Sequence, residues 1–485
     1  MPALKDIWPS SATESSIAHI EINALCDDSR KVKTGDAFFA ISPSKEDNQH
    51  YIQAALSQGA HVIFHQSDTE SIDWKDNTPI IHLKNCREIL GEVASRYYGE
   101  PSKKMKVMGV TGTNGKTSVC HLLAQALSYL GHTVAVLGTT GNGVWPNLKP
   151  SALTTLGVIA LHQQLAEFVT QGVEVVAMEV SSHGLHQARV VGVTFDIGMF
   201  TNLSRDHLDY HGTMEAYAAD KRSFFDLPMH QAIVNVDDDY GKAWLSTWPV
   251  SLSVIQYGKT NGDFQLLTTQ QLDRSASELV FKTPLGKLVF KTKLLGEFNF
   301  YNLLVIAVVL FYKKYDAPAI IKALESIQPV LGRMQQFIQP GKPMVVVDYS
   351  HTPDALAKAL QTLRSYCNGK LVCIFGCGGD RDKGKRPMMA ETAEKYADYC
   401  IVTNDNPRFE DSEKIITDIL AGFTDTKEVK VMNDRKQAIV TTIQSYGDSD
   451  IILVAGKGHE DYQIVKDQYL KISDIQIVKQ ALGME

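Results

Sequence analysis

Short apolar runs, each followed by a glycine- or aspartate-rich loop and then a helical pattern, recur through the middle and last parts of the chain. The middle part contains KVMGV, EVVAMEV, FDIGMF and AIVNV, and the last part contains MVVVDY, LVCIFG, YCIVTN and DIILVAG. Buried strands that alternate with helices are typical of βαβ units in a mostly parallel sheet. Such sheets bind ligands beyond the carboxyl ends of their strands. We therefore expect functional residues in the loops after these runs.

Two polar segments divide the chain. YYGEPSKKMK, around residues 97–106, precedes the first apolar run of the middle part. IQPVLGRMQQF, around residues 327–337, follows the long apolar helical pattern NLLVIAVVLFYKKY. We predict three domains of the α/β class, at residues 1–100, 101–330 and 331–485.

Composition narrows the function class. The 485 residues carry 48 lysines and arginines against 55 aspartates and glutamates, a net charge of −7, which argues against a non-specific nucleic-acid binder. The sequence has neither an apolar run of transmembrane length nor a secretory signal pattern at its start. Seven thinly spread cysteines do not form a disulfide framework. A cytoplasmic multidomain enzyme without membrane insertion is the expectation.

A phosphate-binding loop is the strongest local motif. KVMGV runs into TGTNGKTS and then into a helical pattern. Gly112 and Gly115 allow a tight turn that aims backbone N–H groups at phosphate, Lys116 can reach the β- and γ-phosphates, and Thr117 can bind Mg²⁺ through its hydroxyl. The strict motif has glycine where this chain has Val110. The strand–loop–helix context still predicts nucleotide binding in a P-loop ATPase-type central sheet.

Carboxylates and histidines follow two of the later strands. Glu179 lies near the carboxyl end of the run EVVAMEV, where a carboxylate could hold Mg²⁺ directly or through water. The loop TNLSRDHLDYHG follows FDIGMF and contains Asp206, His207, Asp209 and His211. Two histidines and two aspartates directly after a strand favour a role in contacting a metal or phosphate. Lys221 in AADKRSFF, considered alone, is expected to be a solvated helix residue.

The motifs together resemble those of the Mur ligases. In order, they are TGTNGKTS, MEVSSHGL, TNLSRDHLDYHG, GEFNFYN, GRM, DYSHTPDAL, FGCGGDRDKGKRP, NDNPR and GKGHE. The resemblance covers nearly the whole chain and implies an N-terminal uridine-nucleotide-binding domain, a central ATP-binding domain and a C-terminal Rossmann-like domain. It also implies an ATP-dependent reaction. The γ-carboxylate of D-Glu in UDP-N-acetylmuramoyl-L-Ala-D-Glu becomes an acyl phosphate, which the amine of meso-2,6-diaminopimelate attacks, as in peptidoglycan precursor synthesis.

The resemblance implies roles for residues around ATP. Lys116, Glu179, His207 and Lys221 match catalytic positions. Thr117, Glu179 and His207 match Mg²⁺-associated positions, and Lys221 matches a lysine that the family carbamylates, which would turn a cation into an anionic metal ligand. The positions matched to ATP binding are Gly112, Thr113, Asn114, Gly115, Lys116, Thr117, Asn299, Asn302, Arg333 and Asp348.

Further positions match the two other substrates. Those matched to the UDP-muramoyl dipeptide are Ser29, Thr154, Thr155, Ser181, Gln187 and Arg189. Ser44, Lys45 and Glu46 are weaker candidates for uridine contacts, because their loop lacks the usual glycine and histidine. Those matched to diaminopimelate are Arg381, Asp405, Asn406, Pro407, Arg408, Gly456 and Glu460. Arg408 offers a planar fork for the distal carboxylate and Glu460 an anion for the distal ammonium, so we expect Arg408 to determine specificity.

Three alternatives remain open from the sequence. A lysine-adding Mur ligase would lack the arginine of NDNPR, and a folylpolyglutamate synthetase-like ligase would need neither NDNPR nor GKGHE. A P-loop NTPase switch, which belongs to a different class, would hydrolyse nucleotide without an acceptor. The favoured interpretation is a monomer that acts on small molecules, with Mg²⁺ as cofactor and ATP as substrate.

Overall fold

The computed structural model describes residues 1–8, 15–42, 44–248 and 251–484. Three main sheets with flanking helices form the described part of the chain, which confirms the α/β fold class. Within those ranges, no helix is long and apolar enough to cross a membrane. All seven cysteines have free thiols.

The first sheet has five strands in the order β1-β2-β3-β5-β4, and only the β4–β5 pairing is antiparallel. Its strands are β1 (Leu25–Cys26), β2 (Ala37–Ala40), β3 (Val62–Gln66), β4 (Ser71–Lys75) and β5 (Thr78–Leu83). The accompanying helices are α1 (Leu4–Ile7), α2 (Lys45–Ser57) and α3 (Cys86–Tyr97).

The central sheet has ten strands in the order β15-β14-β13-β12-β11-β10-β6-β9-β7-β8. Its strands are β6 (Lys106–Thr111), β7 (Val134–Gly138), β8 (Gly141–Val144), β9 (Val175–Glu179), β10 (Phe195–Phe200), β11 (Met229–Asn235), β12 (Ser253–Gly258), β13 (Phe264–Gln271), β14 (Ser277–Thr283) and β15 (Gly286–Thr292). Its helices are α4 (Lys116–Tyr129), α5 (Val158–Thr170), α6 (Ser182–His186), α7 (Leu208–His211), α8 (Met214–Arg222), α9 (Asp239–Trp244), α10 (Glu297–Tyr312) and α11 (Ala317–Ser326). The strands from β6 to β12 are parallel except at the edge strand β8.

The third sheet has six strands in the order β16-β17-β21-β18-β19-β20, and a two-stranded hairpin follows it. The strands are β16 (Gln335–Phe337), β17 (Met344–Asp348), β18 (Leu371–Phe375), β19 (Tyr399–Val402), β20 (Val429–Val431), β21 (Ile451–Ala455), β22 (Tyr462–Val465) and β23 (Gln468–Lys471). The helices are α12 (Pro353–Tyr366), α13 (Lys385–Tyr396), α14 (Ser412–Leu420), α15 (Arg435–Ser445) and α16 (Asp474–Leu482). The three sheets fall inside the three predicted segments, whose exact boundaries stay predictions.

Strand order in the central sheet places the functional loops side by side. β6 lies between β9 and β10, and Val110 pairs with Glu179 while Thr111 pairs with Phe200. Because these strands are parallel, the loops that follow them emerge at one edge of the sheet. The phosphate loop, the Glu179 carboxylate and the histidine-containing loop after β10 therefore lie next to one another.

Helix α10 carries nucleotide-site candidates into the interior. It is apolar on nearly every side, and residues 303–310 are completely buried against α4 and the central sheet. A helix that is hydrophobic all round is typical of a buried core element. Its first two turns therefore hold Asn299 and Asn302 in fixed positions beside the phosphate loop.

Candidate active site

The phosphate loop requires glycine at two positions. Gly112 has φ 145°, and a Cβ there would lie 2.0 Å from the Thr201 hydroxyl oxygen. Gly115, with φ 91°, directly precedes α4. Val110 is a fully buried residue inside β6, where its side chain packs in the core. The strand–loop–helix prediction is confirmed, and the missing motif glycine falls where the backbone is still an ordinary strand.

Two lysine side chains converge on one carbonyl oxygen in this loop. The Nζ atoms of Lys116 and Lys221 each lie 2.8 Å from the carbonyl oxygen of Gly112, and Lys116 also donates to the carbonyl of Thr113 at 2.9 Å. Lys221 is only 1% exposed, so the expectation of a solvated helix residue is wrong. Helix α8 turns it inward, where Tyr217 and the phosphate loop enclose its amine.

Burial lowers the pKa of both amines. Desolvation lowers the pKa of Lys116, and it lowers the pKa of Lys221 to well below 10.5, with the neighbouring Lys116 as a second cause. An unprotonated amine is a nucleophile, whereas an ammonium ion is not. The Lys221 environment therefore favours the neutral, reactive form of this side chain.

The Glu179 carboxylate is buried at the end of β9. It accepts hydrogen bonds from the Thr117 hydroxyl at 2.9 and 3.0 Å and from the backbone N–H and hydroxyl of Thr139 at 2.8 and 3.2 Å. Gly138 leaves room for it, because a Cβ there would lie 2.3 Å from a Glu179 carboxylate oxygen. A buried carboxylate beside a threonine hydroxyl is a donor set that suits Mg²⁺.

A magnesium ion here would need further ligands. Within the described ranges, no group of three or more histidine, cysteine, aspartate or glutamate side chains is arranged to hold a metal. Mg²⁺ usually keeps several waters and binds one or two carboxylates together with substrate phosphates. Glu179 and Thr117 fit that mode, which leaves the remaining positions to ATP and water.

The two histidines of the loop after β10 have different partners. His207 lies 3.4 Å from Asp206, and its pKa is lowered to about 4, chiefly by desolvation. At neutral pH its ring is uncharged, the form that can bind a metal. His211 instead turns inward, with its ring nitrogens 2.8 Å from Asp220 and 3.0 Å from the Ser182 hydroxyl. His207 faces the large cleft described below, and His211 holds the loop against α6 and α8.

A cavity of about 830 Å³ adjoins the phosphate loop. Asn299 and Asn302 are buried in its wall and hydrogen-bonded to each other at 3.2 Å. Arg333 donates to the Thr117 hydroxyl at 3.3 Å and lies 4.3 Å over the Tyr349 ring. The cavity brings together six of the residues matched to ATP: Asn114, Gly115, Asn299, Asn302, Arg333 and Asp348.

Four of the six candidates for the UDP-muramoyl dipeptide, Thr155, Ser181, Gln187 and Arg189, lie close together and are joined by hydrogen bonds. The hydroxyls of Thr155 and Ser181 are 3.0 Å apart, and Arg189 donates to the Gln187 side chain and to the Thr155 carbonyl. Thr154 lies at the large cleft, 3.0 Å from the Thr139 hydroxyl. Ser29 lies apart from these residues, in the first sheet region, where its carbonyl accepts a hydrogen bond from Gln58.

The three weaker uridine candidates lie at the start of α2. The Ser44 hydroxyl caps this helix by accepting from the N–H of Asp47 at 3.2 Å, and Glu46 is exposed. The side chain of Lys45 lies outside the described part of the structure. Their uridine contacts stay predictions.

A cleft of about 1530 Å³ joins the central and third parts of the chain. Asp206, His207 and Thr154 line its central wall. The diaminopimelate candidates that line the opposite wall are Arg381, Asp405, Asn406, Arg408, Gly456 and Glu460. Pro407 is buried and does not line the cleft. The structure thus places the amino-acid candidates opposite the loop after β10, across one continuous space.

Within this wall, Arg408 and Glu460 are held differently. Arg408 has φ 53° and donates through one guanidinium nitrogen to the Gly379 carbonyl at 2.8 Å, which directs the group across the loop. Glu460 receives hydrogen bonds at 3.0 Å from the Asn406 amide and from Lys457, both on the same carboxylate oxygen. The wall therefore presents a guanidinium group and a carboxylate, which can pair with the carboxylate and the ammonium of an amino acid.

Sequence reasoning missed several residues in these walls. Thr139 supplies two of the hydrogen bonds to Glu179, yet it lies in a TT pair with no motif character. Tyr349 lines both cavities, and Lys457 lies beneath the cleft wall that carries Arg408 and Glu460. Both residues stand inside the motifs DYSHTPDAL and GKGHE, so a residue-by-residue search of each motif could have found them.

The fold and the site define an α/β protein with a phosphate-binding loop beside one cavity and a second, larger cleft next to it. Comparisons with known protein families agree with this class of protein. The profile of the Mur ligase middle domain matches residues 110–310, and that of the Mur ligase glutamate ligase domain matches residues 332–458. The chain belongs to the Mur ligase family. It is therefore a ligase, and the ligases of this family use ATP.

Individual relatives cover almost the whole chain. The UDP-N-acetylmuramoyl-L-alanyl-D-glutamate–2,6-diaminopimelate ligase of Coxiella burnetii is 43% identical over 96% of both chains, and that of Vibrio vulnificus is 44% identical over the same shares. A solved structure of a UDP-N-acetylmuramoyl-L-alanyl-D-glutamate–2,6-diaminopimelate ligase superposes with a TM-score of 0.73, at 31% identity and with 99% of both chains covered.

The buried amine of Lys221 predicts a measurable pH dependence of stability. Between its lowered pKa and 10.5, the unfolded chain binds a proton that the folded chain does not, so this group makes stability rise with pH. Lys221→Met removes that penalty. In CO₂-free buffer we expect the variant to melt roughly 2 °C or more above the wild type at pH 7. The difference should shrink towards pH 10, as followed by differential scanning fluorimetry.

Lys242→Met is the matched control, because Lys242 is an exposed lysine on the neighbouring α9. We expect it to change the melting temperature little at any pH. A Lys221→Met variant that melts in parallel with the wild type across this pH range would show that Lys221 is not buried as a neutral amine.

Proposed function

We propose that this enzyme joins meso-2,6-diaminopimelate to the γ-carboxylate of D-Glu in UDP-N-acetylmuramoyl-L-Ala-D-Glu, with ATP converted to ADP and phosphate, in peptidoglycan precursor synthesis. The observation that carries the proposal is the placement of Arg408 and Glu460 on one wall of a cleft whose other wall is the loop containing His207. The relatives at 43% and 44% identity, which are named for this reaction, support it.

The chemical problem explains the arrangement. A carboxylate is a poor electrophile because its leaving group would be oxide, and transfer of the γ-phosphoryl group from ATP supplies a good leaving group. Two anions must then meet, and cationic groups must offset their repulsion. We assign this role to Lys116, whose amine lies at the phosphate loop. The amine of the incoming amino acid then attacks the acyl phosphate and releases phosphate.

Mg²⁺ would be held by Glu179 and Thr117, with His207 nearby, and when bound would neutralise charge on the phosphates. Lys221 would contribute a further anionic ligand as a carbamate. Carbamate formation joins an unprotonated amine to CO₂ with loss of a proton, and the lowered pKa of Lys221 supports it. The phosphate loop positions ATP through backbone N–H groups, while Asn299, Asn302, Arg333 and Asp348 line the space proposed for the nucleoside.

The cleft wall that carries Arg408 and Glu460, which we call the acceptor wall, distinguishes the proposal from its alternatives. Meso-diaminopimelate carries a second ammonium and a second carboxylate at its distal end. Arg408 offers a charged fork for that carboxylate, and Glu460 an anion for that ammonium. A lysine-adding ligase would have no use for Arg408, and an NTPase switch would need no acceptor wall. We also propose that the enzyme works as a monomer, because one chain lines both cavities, and that it acts in the cytoplasm.

The proposal predicts which substrates ADP formation requires. We expect ADP release only when the dipeptide nucleotide and diaminopimelate are both present, with little turnover when L-lysine or L-ornithine replaces diaminopimelate. Arg408→Ala should lower kcat/KM for diaminopimelate by roughly 30- to 1000-fold, because it removes a charged partner at the acceptor only. The KM for ATP should stay within about two-fold of the wild type. A coupled assay for ADP measures all of these quantities.

Arg364→Ala is the matched control, since Arg364 is a half-exposed arginine of α12 that pairs with Asp398. It should leave diaminopimelate turnover unchanged. Rapid ATP hydrolysis without any acceptor would contradict the ligase assignment. Full diaminopimelate activity in Arg408→Ala would contradict the specificity assignment alone.

Chemical rescue tests the carbamate. Lys221→Ala should impair turnover strongly, and formate or acetate should restore part of it by occupying the space of the missing anion. Lys116→Ala is the comparison, because loss of a cation cannot be repaired by a carboxylate. Wild-type turnover in Lys221→Ala, or equal rescue of both variants, would show that Lys221 does not act as an anion.

A further inference from the structure

Lys457 is a completely buried lysine beneath the acceptor wall. Its side chain is 0% exposed, and its Nζ lies 3.0 Å from a Glu460 carboxylate oxygen and 3.1 Å from the Asn406 side-chain oxygen. A buried charge is costly unless it is paired and hydrogen-bonded. The position of this ammonium between two acceptor residues therefore calls for a functional explanation.

The contacts of Lys457 fix the orientation of both neighbours. The Asn406 side-chain oxygen accepts from Lys457 and from the N–H of Ile464 at 3.0 Å, so the amide nitrogen must point to Glu460, 3.0 Å away. Asn406 and Lys457 donate to the same Glu460 oxygen, Oε2. The other oxygen, Oε1, lies 3.5 Å from the Tyr349 hydroxyl. Oε1 can therefore accept a hydrogen bond from an incoming ammonium group.

Lys457 also balances the charge of the wall. Between Gly376 and Tyr462, the cleft is lined by three basic side chains, Arg381, Lys385 and Arg408, and by four acidic ones, Asp382, Asp405, Glu460 and Asp461. His459 adds no charge at neutral pH, because desolvation lowers its pKa to about 3. The buried Arg435 does not change this balance, because it is already paired with Asp474 at 2.7 and 2.8 Å. Lys457 makes the basic and acidic groups of this wall equal in number.

We propose that Lys457 is a positioning and specificity-determining residue, which orients Glu460 and Asn406 and makes the acceptor wall neutral. The inference rests on the proposed function. The distal end of meso-diaminopimelate is a zwitterion, whereas the distal end of L-lysine is a cation. A neutral wall suits the zwitterion, and removal of Lys457 would leave an excess negative charge that favours the cation.

Three variants separate charge from hydrogen bonding and packing. Lys457→Gln keeps a donor for Glu460 without the charge, Lys457→Met removes both, and Lys457→Arg keeps the charge. The measurement is kcat/KM for meso-diaminopimelate divided by kcat/KM for L-lysine. We expect this ratio to fall by roughly ten-fold or more in Lys457→Gln and Lys457→Met and to stay within about three-fold in Lys457→Arg. The KM for ATP shows that each variant is folded at the nucleotide site.

A purely structural role would lower turnover of both acceptors by the same factor and leave their ratio unchanged. That result in Lys457→Gln would overturn the inference, even if Lys457→Met failed to fold. Assays of the wild type distinguish a failure of this inference from a failure of the proposed function. A wild type that does not use meso-diaminopimelate refutes the proposed function, whereas one that prefers it while Lys457→Gln keeps the same preference refutes only the role of Lys457.

Discussion

The convergence of two lysine amines on the carbonyl oxygen of Gly112 is the constraint on which the nucleotide site depends. Two ammonium ions cannot share one buried acceptor without strong repulsion, so burial and mutual repulsion favour loss of a proton. Lys116 also donates to the Thr113 carbonyl and lies at the loop where phosphate would bind, whereas α8 turns Lys221 inward against Tyr217. We propose that the fold thereby gives two chemically identical side chains different roles, Lys116 as a phosphate-binding cation and Lys221 as a reactive amine.

The parallel sheets extend this arrangement to the other substrates. Because β6, β9 and β10 are neighbours, the phosphate loop, Glu179 and the loop of His207 reach the same edge. Residues from the third sheet region meet that edge from the opposite side. Arg333 bonds to Thr117 and lies over Tyr349, whose hydroxyl approaches Glu460. A continuous set of contacts therefore joins the cavity at the phosphate loop to the wall of Arg408 and Glu460. The proposed reaction needs this proximity, because the acceptor amine must attack a carboxylate that has just received the phosphoryl group of ATP.

The sequence predicted the elements and the order of the sites well, because short motifs fix backbone conformation locally. Gly112 and Gly115 have the positive φ values that their motif predicts, and every apolar run assigned as a strand in the middle and last parts forms one. Long-range packing decided the rest. Lys221 was expected in solvent and is buried, since its environment comes from a loop 109 residues away. His211 was grouped with His207 and instead binds Asp220. Thr139 carries no motif signal, and Lys457 stands inside the motif GKGHE but shows its importance only through its contacts in space.

In the proposed reaction a carboxylate is activated by phosphorylation before the amide forms, so one of its oxygens must be transferred to phosphate. The dipeptide nucleotide would carry ¹⁸O in the γ-carboxylate of its D-Glu and react with ATP and meso-diaminopimelate. Mass spectrometry of the released inorganic phosphate then shows the origin of its oxygens. An acyl phosphate predicts one ¹⁸O atom in each phosphate, because the carboxylate oxygen leaves with phosphorus. Unlabelled phosphate, released while the amide product accumulates, would contradict the account.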